Sequence, residues 1–532
     1  MKFSKGIPPP HKYLYLYGII LIFVSAFLVI YPKWVVDDTY ILFRYADNLA
    51  NHSLLTWNVG ADPIEGYTGI VLVLMLSLFI KIGVPPLLTT HIIGAVALIL
   101  GGLALYLVLN ELEVRDANRF VIVSLYFFTP ALYLHALSGL ETVLFTTAVT
   151  ISYYFLLSCL GARQPRSRGE ITLFSTLLIT SLIRPEGVAL AGIAFFALVL
   201  GQRKEGALGA TFARFAVCYL LPGGIYFCWR WNYYGALLPN AYYAKAYMGG
   251  IMNLDVLEEF GRFITSYLCI PSAVALAMLL SNLRLLTQNL SQVCRSKPNI
   301  TLSFISALLF VLLVDLQYLR SNLIMGFWFR FFIPLYPLLL AWVGKLFDLG
   351  IIIVGKTNLP KTYLGPLLII LISVASIGQL TINTSQSLSQ IREAKDVKQI
   401  LEDEHIPAGL FLRDNIPPNE TLIVFGDAGA IPYYSGLRTV DFGGLNDEFL
   451  THIPGRHSVE ARKAVVEYFY SHNAGAIALT TESWEETKRG SQVRSDILLD
   501  PRLQQYILAR KYRSGTLRYY LFIYIRKDLL KR

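Results

Sequence analysis

The sequence predicts a mainly α, polytopic membrane protein of about 11 transmembrane helices with a small α/β domain at its C-terminal end. Three observations predict it. Of 532 residues, 55% are hydrophobic and only 15% charged, too few charges for an ordinary soluble globule. Apolar runs of about 20 residues, the length that spans a bilayer, recur between residues 13 and 380. Beyond residue 381 the pattern turns to alternating strand-like and helical stretches rich in acidic residues.

The runs lie near 14–31, 88–109, 120–137, 140–159, 171–183, 187–200, 211–229, 262–282, 301–319, 328–347 and 363–380. The first follows Lys2, Lys5, His11 and Lys12. It is long for the apolar core of a signal peptide and no small-residue cleavage site follows, so a retained helix with a cytoplasmic N-terminus is expected. The basic connections are GARQPRSRGE (161–170), QRKEG (202–206), 284–297 and 345–361, all assigned to the cytoplasm. Eleven crossings then place residues 381–532 outside. The run 67–82 breaks this parity unless it is a partial or interfacial helix. A competing count lets it cross and fuses 171–200, which leaves the Arg-rich 161–170 loop outside against the charge bias.

Residues 381–532 are expected to form an extracytoplasmic α/β domain of about 150 residues, a usual domain size. TLIVF (421–425), AGAIALTT (474–481) and YYLFIYI (519–525) read as strands, and Gly426-Asp-Ala-Gly429 as a turn. The net charge of +10 reflects the cytoplasmic loops and points to topology, not to nucleic acid. The five cysteines, Cys159, Cys218, Cys228, Cys269 and Cys294, have no CxxC spacing and suggest neither disulfide nor metal.

With this topology the charged motifs collect on the outer face. Asp37 and Asp38 open the first outer loop, where a carboxylate pair beside a membrane must be hydrated, paired or at work. The amphipathic stretch that follows carries Arg44, and WNVGADPIEGYTG (57–69) supplies Trp57, Glu65 and Tyr67. SGLET brings Glu141, RPEG brings Arg184 and Glu186, and PNAYYAK (239–245) brings Asn240, Tyr242 and Lys245. Arg330 flanks a further outer turn. These eleven residues are the expected substrate contacts, with Asp37 and Asp38 as the expected catalytic pair. Each motif also offers a structural role. Ser138 and Glu141 have capping-box spacing, Pro185 and Glu186 suit a helix's first turn, the aromatics suit an interfacial belt, and Lys245 and Arg330 suit snorkelling.

No GxxxxGK[ST], HExxH or GxSxG motif occurs, so nucleotide hydrolysis, zinc proteolysis and serine esterase chemistry lack support. An activated donor outside the cytoplasm must ride on a membrane lipid. Carboxylates beside Arg and Lys fit group transfer from a lipid phosphate: one carboxylate takes the acceptor's proton and the cations hold the departing phosphate.

The run DDTYILFRYADNLA…LTWNVGADPIEGYTG, with SGLET, RPEG, YGALLPNAYYAK, WFRFFIPLYP and GDAGAIPYYSGLRTVDFGGLND, resembles the bacterial GT-C membrane glycosyltransferases. It is most similar to the terminal β-(1→2)-arabinofuranosyltransferases of actinobacterial cell-wall synthesis, over nearly the whole chain. The resemblance implies a GT-C catalytic domain over 1–380 in a bacterial inner membrane. It also implies a polyprenyl-phosphate sugar donor, a glycan or glycolipid acceptor and inverting transfer. Asp37 is then the general base and Asp38 its partner or a cation ligand. The sugar stays open, because such families also occur without arabinan. A divalent cation, Mg²⁺ or Ca²⁺, is compatible with Asp37 and Asp38, although too few oxygen ligands are identifiable to define a site. The alternative from another class is a transporter or lipid-linked sugar flippase, which calls for inverted repeats and charges at the bilayer midplane. A lipid A or protein glycosyltransferase differs only in donor sugar and acceptor.

Overall fold

A computed structural model describes residues 33–161, 167–201, 207–245, 252–281, 297–323, 325–354, 361–453, 458–481, 492–513 and 519–531, with parts of 18–29 and 284–288. Most of the expected first span, and the basic connections at 162–166, 202–206, 289–296 and 355–360, lie outside the described residues.

Helix α1, Asp38–His52, is amphipathic and ends at Ser53, whose left-handed backbone (φ 58°) lets its N–H return to the last carbonyls. Helix α2, Ile70–Lys81, fills the expected partial segment at 67–82. Its 12 residues reach about 18 Å, short of the ~30 Å hydrocarbon core. Pro86 opens α3, Pro86–Glu111, where its missing N–H costs nothing. The run expected as one span at 120–137 is instead a pair, α4 (Asp116–Phe127) and α5 (Pro130–Leu137), bent by 49°. Pro130 disfavours helical backbone at the residue before it and breaks the helix there.

Helix α6 is Thr142–Gly161. Helices α7, Ser167–Ile183, and α8, Glu186–Gly201, are separate and pack together, as the favoured count expects, with Arg184 and Pro185 between them. Helix α9, Leu208–Tyr234, contains a π turn at Ala216–Leu220, and α10 is the short Asn240–Ala244. The run at 262–282 is again not one span but a pair, α11 (Asp255–Tyr267) and α12 (Cys269–Leu280), bent by 77° around Leu268. Helices α13, Pro298–Tyr318, and α14, Tyr336–Val354, follow. Five described helices are long and apolar enough to cross a membrane, or up to seven if each bent pair is one span.

Helix α15, Lys361–Ile400, runs without interruption through a π turn at Leu401–His405 into α16, Ile406–Asn415. The composition change at 381 therefore falls inside a continuous helix. Five strands follow, interleaved with α17 (Ala430–Ser435), α18 (Glu448–His452), α19 (Val459–Ser471) and α20 (Gln492–Leu499). They are β1 (Thr421–Phe425), β2 (Arg438–Asp441), β3 (Ala476–Thr481), β4 (Tyr506–Arg513) and β5 (Tyr520–Arg526), in the order β2-β1-β3-β5-β4. The β1 pairings are parallel and those of β5 antiparallel. Alternation sends Leu422, Val424, Leu521 and Ile523 into one apolar layer with Leu412 of α16. It sends Ile423, Phe522 and Tyr524 into another with Phe469 of α19. Strand β4 carries five Lys, Arg and Tyr residues among eight, which is why no apolar strand signal marks it in the sequence.

Candidate active site at the helix ends

Asp37 precedes α1, and its carboxylate is fully engaged. Oδ2 accepts the Gly429 N–H at 2.7 Å, while Oδ1 accepts the Ala430 N–H at 2.9 Å and lies 3.1 Å from His405 Nδ1. Gly429 is required there, since a Cβ would lie 1.9 Å from the Asp37 carbonyl oxygen. The first-loop aspartate thus anchors the turn between β1 and α17.

Asp38 makes no side-chain hydrogen bond among the described residues. Burial raises its pKa against the opposing pull of Lys245 and Arg330, with Asp37 and Glu141 adding like charge. The ammonium of Lys245 also lacks a hydrogen bond among the described residues. Burial and then Arg330 lower its pKa, while Asp38 works in the other direction. Arg330 reaches Glu141 only at 3.4 Å, and its buried Nε and Nη1 have no partner among the described residues. It follows a turn in which Trp328 and Phe329 take left-handed backbone (φ 49° and 60°), a strained geometry for bulky residues.

Glu141, Arg184 and Glu186 form a buried ion-pair cluster. Arg184 donates to Glu141 at 2.8 Å and to Glu186 at 2.7 Å, and Tyr318 of α13 closes on Glu186. Gly69, at the end of the EGYTG motif, packs on the carbonyl of Ile183, where a Cβ would lie 1.9 Å away. The capping-box reading of Ser138 and Glu141 does not hold. Ser138 Oγ donates to the His135 carbonyl and accepts the Leu140 N–H, not that of Glu141, and the Glu141 carboxylate pairs with Arg184.

The remaining expected substrate contacts lie apart from this cluster, most of them engaged with other protein groups. Arg44 donates to the carbonyls of Trp57, Pro432 and Leu437 and to Asn58 Oδ1, and stacks on Trp57. Trp57 Nε1 donates to the Thr439 carbonyl at 3.0 Å. Glu65 pairs with Arg230 at 2.6 Å, and Tyr67 meets the Tyr234 hydroxyl at 2.9 Å. Asn240 donates to the carbonyls of Gly444, Leu445 and Asp447. Tyr242 is 51% exposed and packs on Tyr243. Of the expected contacts, the Asp38 cluster gathers Glu141, Arg184, Glu186, Lys245 and Arg330.

Three residues at the site went unassigned in the sequence. Tyr318 is an ordinary tyrosine at the end of an apolar run. His405 lies in LEDEHIP without motif spacing, and Asp427 falls within the Gly426–Gly429 turn. Asp427 lies 3.7 Å from His405 Nε2, and its pKa is pushed up to about 6 by burial, with His405 opposing and Asp37 and Asp38 adding to the rise. A short polar turn at the C-terminal end of a parallel strand is the signal that marks Asp427 as a site candidate.

Among the described residues no group of three or more His, Cys, Asp or Glu side chains is arranged to hold a metal ion. Both Asp37 oxygens already accept hydrogen bonds, and Asp37 with Asp38 supplies two carboxylates, fewer than three side-chain ligands.

Nearly the whole chain resembles solved structures. ArnT from Cupriavidus metallidurans bound to undecaprenyl phosphate superposes with a TM-score of 0.60 at 10% identity, covering 97% of this chain and 98% of ArnT. The chain has the GT-C fold. AglB, the archaeal oligosaccharyltransferase from Archaeoglobus fulgidus, solved with an inhibitory peptide and a dolichol-phosphate, gives 0.53 at 12% identity over 88% of this chain and 69% of its own. The Archaeoglobus fulgidus oligosaccharyltransferase in complex with Zn and sulfate gives 0.55 at 14% identity over 96% and 73%. A family model described as a domain of unknown function (DUF8728) matches residues 390–524, from within α15 into β5. No curated protein matches the sequence.

Proposed function

We propose that this protein is an inverting membrane glycosyltransferase. It moves a sugar from a polyprenyl-phosphate donor to a hydroxyl of an extracytoplasmic glycan or glycolipid. The observation that carries this reading is Asp38, a carboxylate free of hydrogen bonds among the described residues, in the field of two under-coordinated cations, Lys245 and Arg330. The GT-C fold and neighbours solved with undecaprenyl phosphate and dolichol-phosphate support it.

Asp38 accepts the proton of the acceptor hydroxyl as its oxygen attacks the anomeric carbon. The bond from that carbon to the phosphate oxygen breaks, and polyprenyl phosphate leaves with the bonding electrons. Arg330, through its free Nε–H and Nη1–H, and Lys245 neutralise the charge that develops on the phosphate. Attack opposite the leaving phosphate inverts the anomeric centre. Asp37 positions this machinery by holding the start of α1 against Gly429 and Ala430. This assigns the base to Asp38 in place of Asp37.

The transfer site lies in the helical part, residues 1–380, with 381–532 as an extracytoplasmic domain over it, in a bacterial inner membrane with the N-terminus cytoplasmic. Arabinofuranose is the donor sugar the sequence resemblance favours. The test is release of polyprenyl phosphate from synthetic polyprenyl-phosphate arabinofuranose and other pentose and hexose donors by the purified protein with oligosaccharide acceptors. Turnover on at least one donor, giving an inverted product, is expected. No turnover on any donor, or retention of configuration, contradicts the proposal.

A further inference from the structure

A polar cavity of about 590 Å³ opens between α1 and the C-terminal domain. Part of its lining, such as Arg44 and Asn58, is committed to backbone hydrogen bonds that join the two parts. The rest is available. Asp47 gives only one oxygen, to exposed Asn51. His52 and Arg438 have no side-chain hydrogen bond among the described residues, and Arg413 is exposed, paired with its neighbour Asp414. Tyr433 and Tyr434 complete the lining, with ring centroids 5.3 Å apart, and both rings also pack on Tyr40.

This composition selects a ligand class. A carboxylate and two guanidinium groups in one lining suit neither a simple anion nor a simple cation. Saccharide hydroxyls both donate and accept, so they pair with all of these groups, and sugar C–H faces pack on tyrosine rings. Position points the same way. Helix α17 holds Asp37 at its N-terminal end and presents Tyr433 and Tyr434 toward its C-terminal end, so the rings that line the cavity lie only about 5–6 Å of helix rise from the residue that holds Asp37.

We propose that this cavity is a saccharide subsite that holds the acceptor glycan beyond its reacting sugar. The assignment rests on the transferase reading, and its test is independent of transfer. Full-length protein in detergent is applied to immobilised pentose and hexose oligosaccharides, neutral and uronate-bearing. Binding is compared for wild type, Tyr433→Ala, Arg438→Ala and Asp47→Asn, alongside binding of undecaprenyl phosphate. Wild type is expected to hold at least one oligosaccharide. The three variants should bind it about tenfold more weakly, the effect of one lost charged hydrogen bond or stacking face, with undecaprenyl phosphate affinity within about twofold of wild type. A wild type that binds no oligosaccharide, variants that bind as wild type does, or equal loss of both ligands would overturn the subsite. Saccharide binding that depends on these residues, in a protein that transfers no sugar, upholds the subsite and refutes the transferase reading instead.

Discussion

His405 Nδ1 and Asp37 Oδ1 meet at 3.1 Å across 368 residues of sequence, joining the π turn at the end of α15 to the start of α1. Burial works against a charged imidazole, yet the hydrogen bond and charge of Asp37, followed by Asp427 and Glu404, outweigh it and raise the His405 pKa. A folded-state pKa above the unfolded value contributes stability that is complete below the unfolded value, about 6.5, and lost as pH rises through the folded one. Asp427, raised to about 6, acts in the same sense at lower pH. The thermal midpoint should therefore fall as pH rises above about 6.5, and His405→Gln should flatten that slope. An unchanged slope in the variant would show that this contact is not the titrating link.

Arg44 has four acceptors, and two of them, the carbonyls of Pro432 within α17 and Leu437 just beyond it, fasten α1 to the C-terminal domain. A hydrogen bond from a charged donor contributes about 1.5–3 kcal/mol, and acceptors left buried without a donor add to the loss. Arg44→Ala should lower thermal stability and speed chymotrypsin cleavage between the two parts. Arg44→Lys should not restore it, because a single ammonium cannot reproduce the guanidinium fork. Wild-type melting and cleavage in Arg44→Ala would contradict this anchoring role.

Much of this was legible in the sequence, for physical reasons that also mark where it stopped. Helices α3, α6 and α13 answer to long apolar runs, and β1, β3 and β5 to short β-branched and aromatic ones. The bends at Pro130 and Leu268 were hidden because hydropathy over a window ignores local backbone geometry. Glu141, Arg184, Glu186, Lys245 and Arg330 converge because charges at the ends of apolar helices share one face. Arg44, Trp57 and Asn240 sit on that face too, but their partners are backbone carbonyls roughly 200 to 390 residues away, which no residue type announces. The different duties of Asp37 and Asp38 depend on which one meets Gly429, and adjacency in sequence conceals that.

Glu186 is buried against Arg184 and Tyr318. Removing one partner of a buried pair leaves an uncompensated charge and costs about 3–5 kcal/mol. Glu186→Ala should destabilise by that order, and Arg184→Met with Glu186→Leu should lose less than the sum of the two single changes, although Glu141 then keeps only Arg330. Additive losses in denaturant unfolding of the three variants would argue against a coupled pair.

Arg330 and Lys245 are assigned to the donor phosphate. Arg330→Ala and Lys245→Ala should each weaken binding of undecaprenyl phosphate roughly 10–100-fold, corresponding to about 1.5–3 kcal/mol per charged hydrogen bond. Arg330→Lys should recover only part of it, since Lys acts as a point charge where Arg grips with two N–H groups. Titration of labelled lipid phosphate measures this, and wild-type affinity in both alanine variants would return these cations to a structural role.

The most direct test compares Asp38→Asn with the wild type on a synthetic polyprenyl-phosphate sugar, following both donor binding and turnover. Asparagine keeps the shape and removes the basicity, and loss of a general base typically costs about 10²–10⁴-fold. The predicted result is donor affinity near that of the wild type with turnover reduced by that factor. Transfer by Asp38→Asn at the wild-type rate would contradict the assignment of Asp38 as the base.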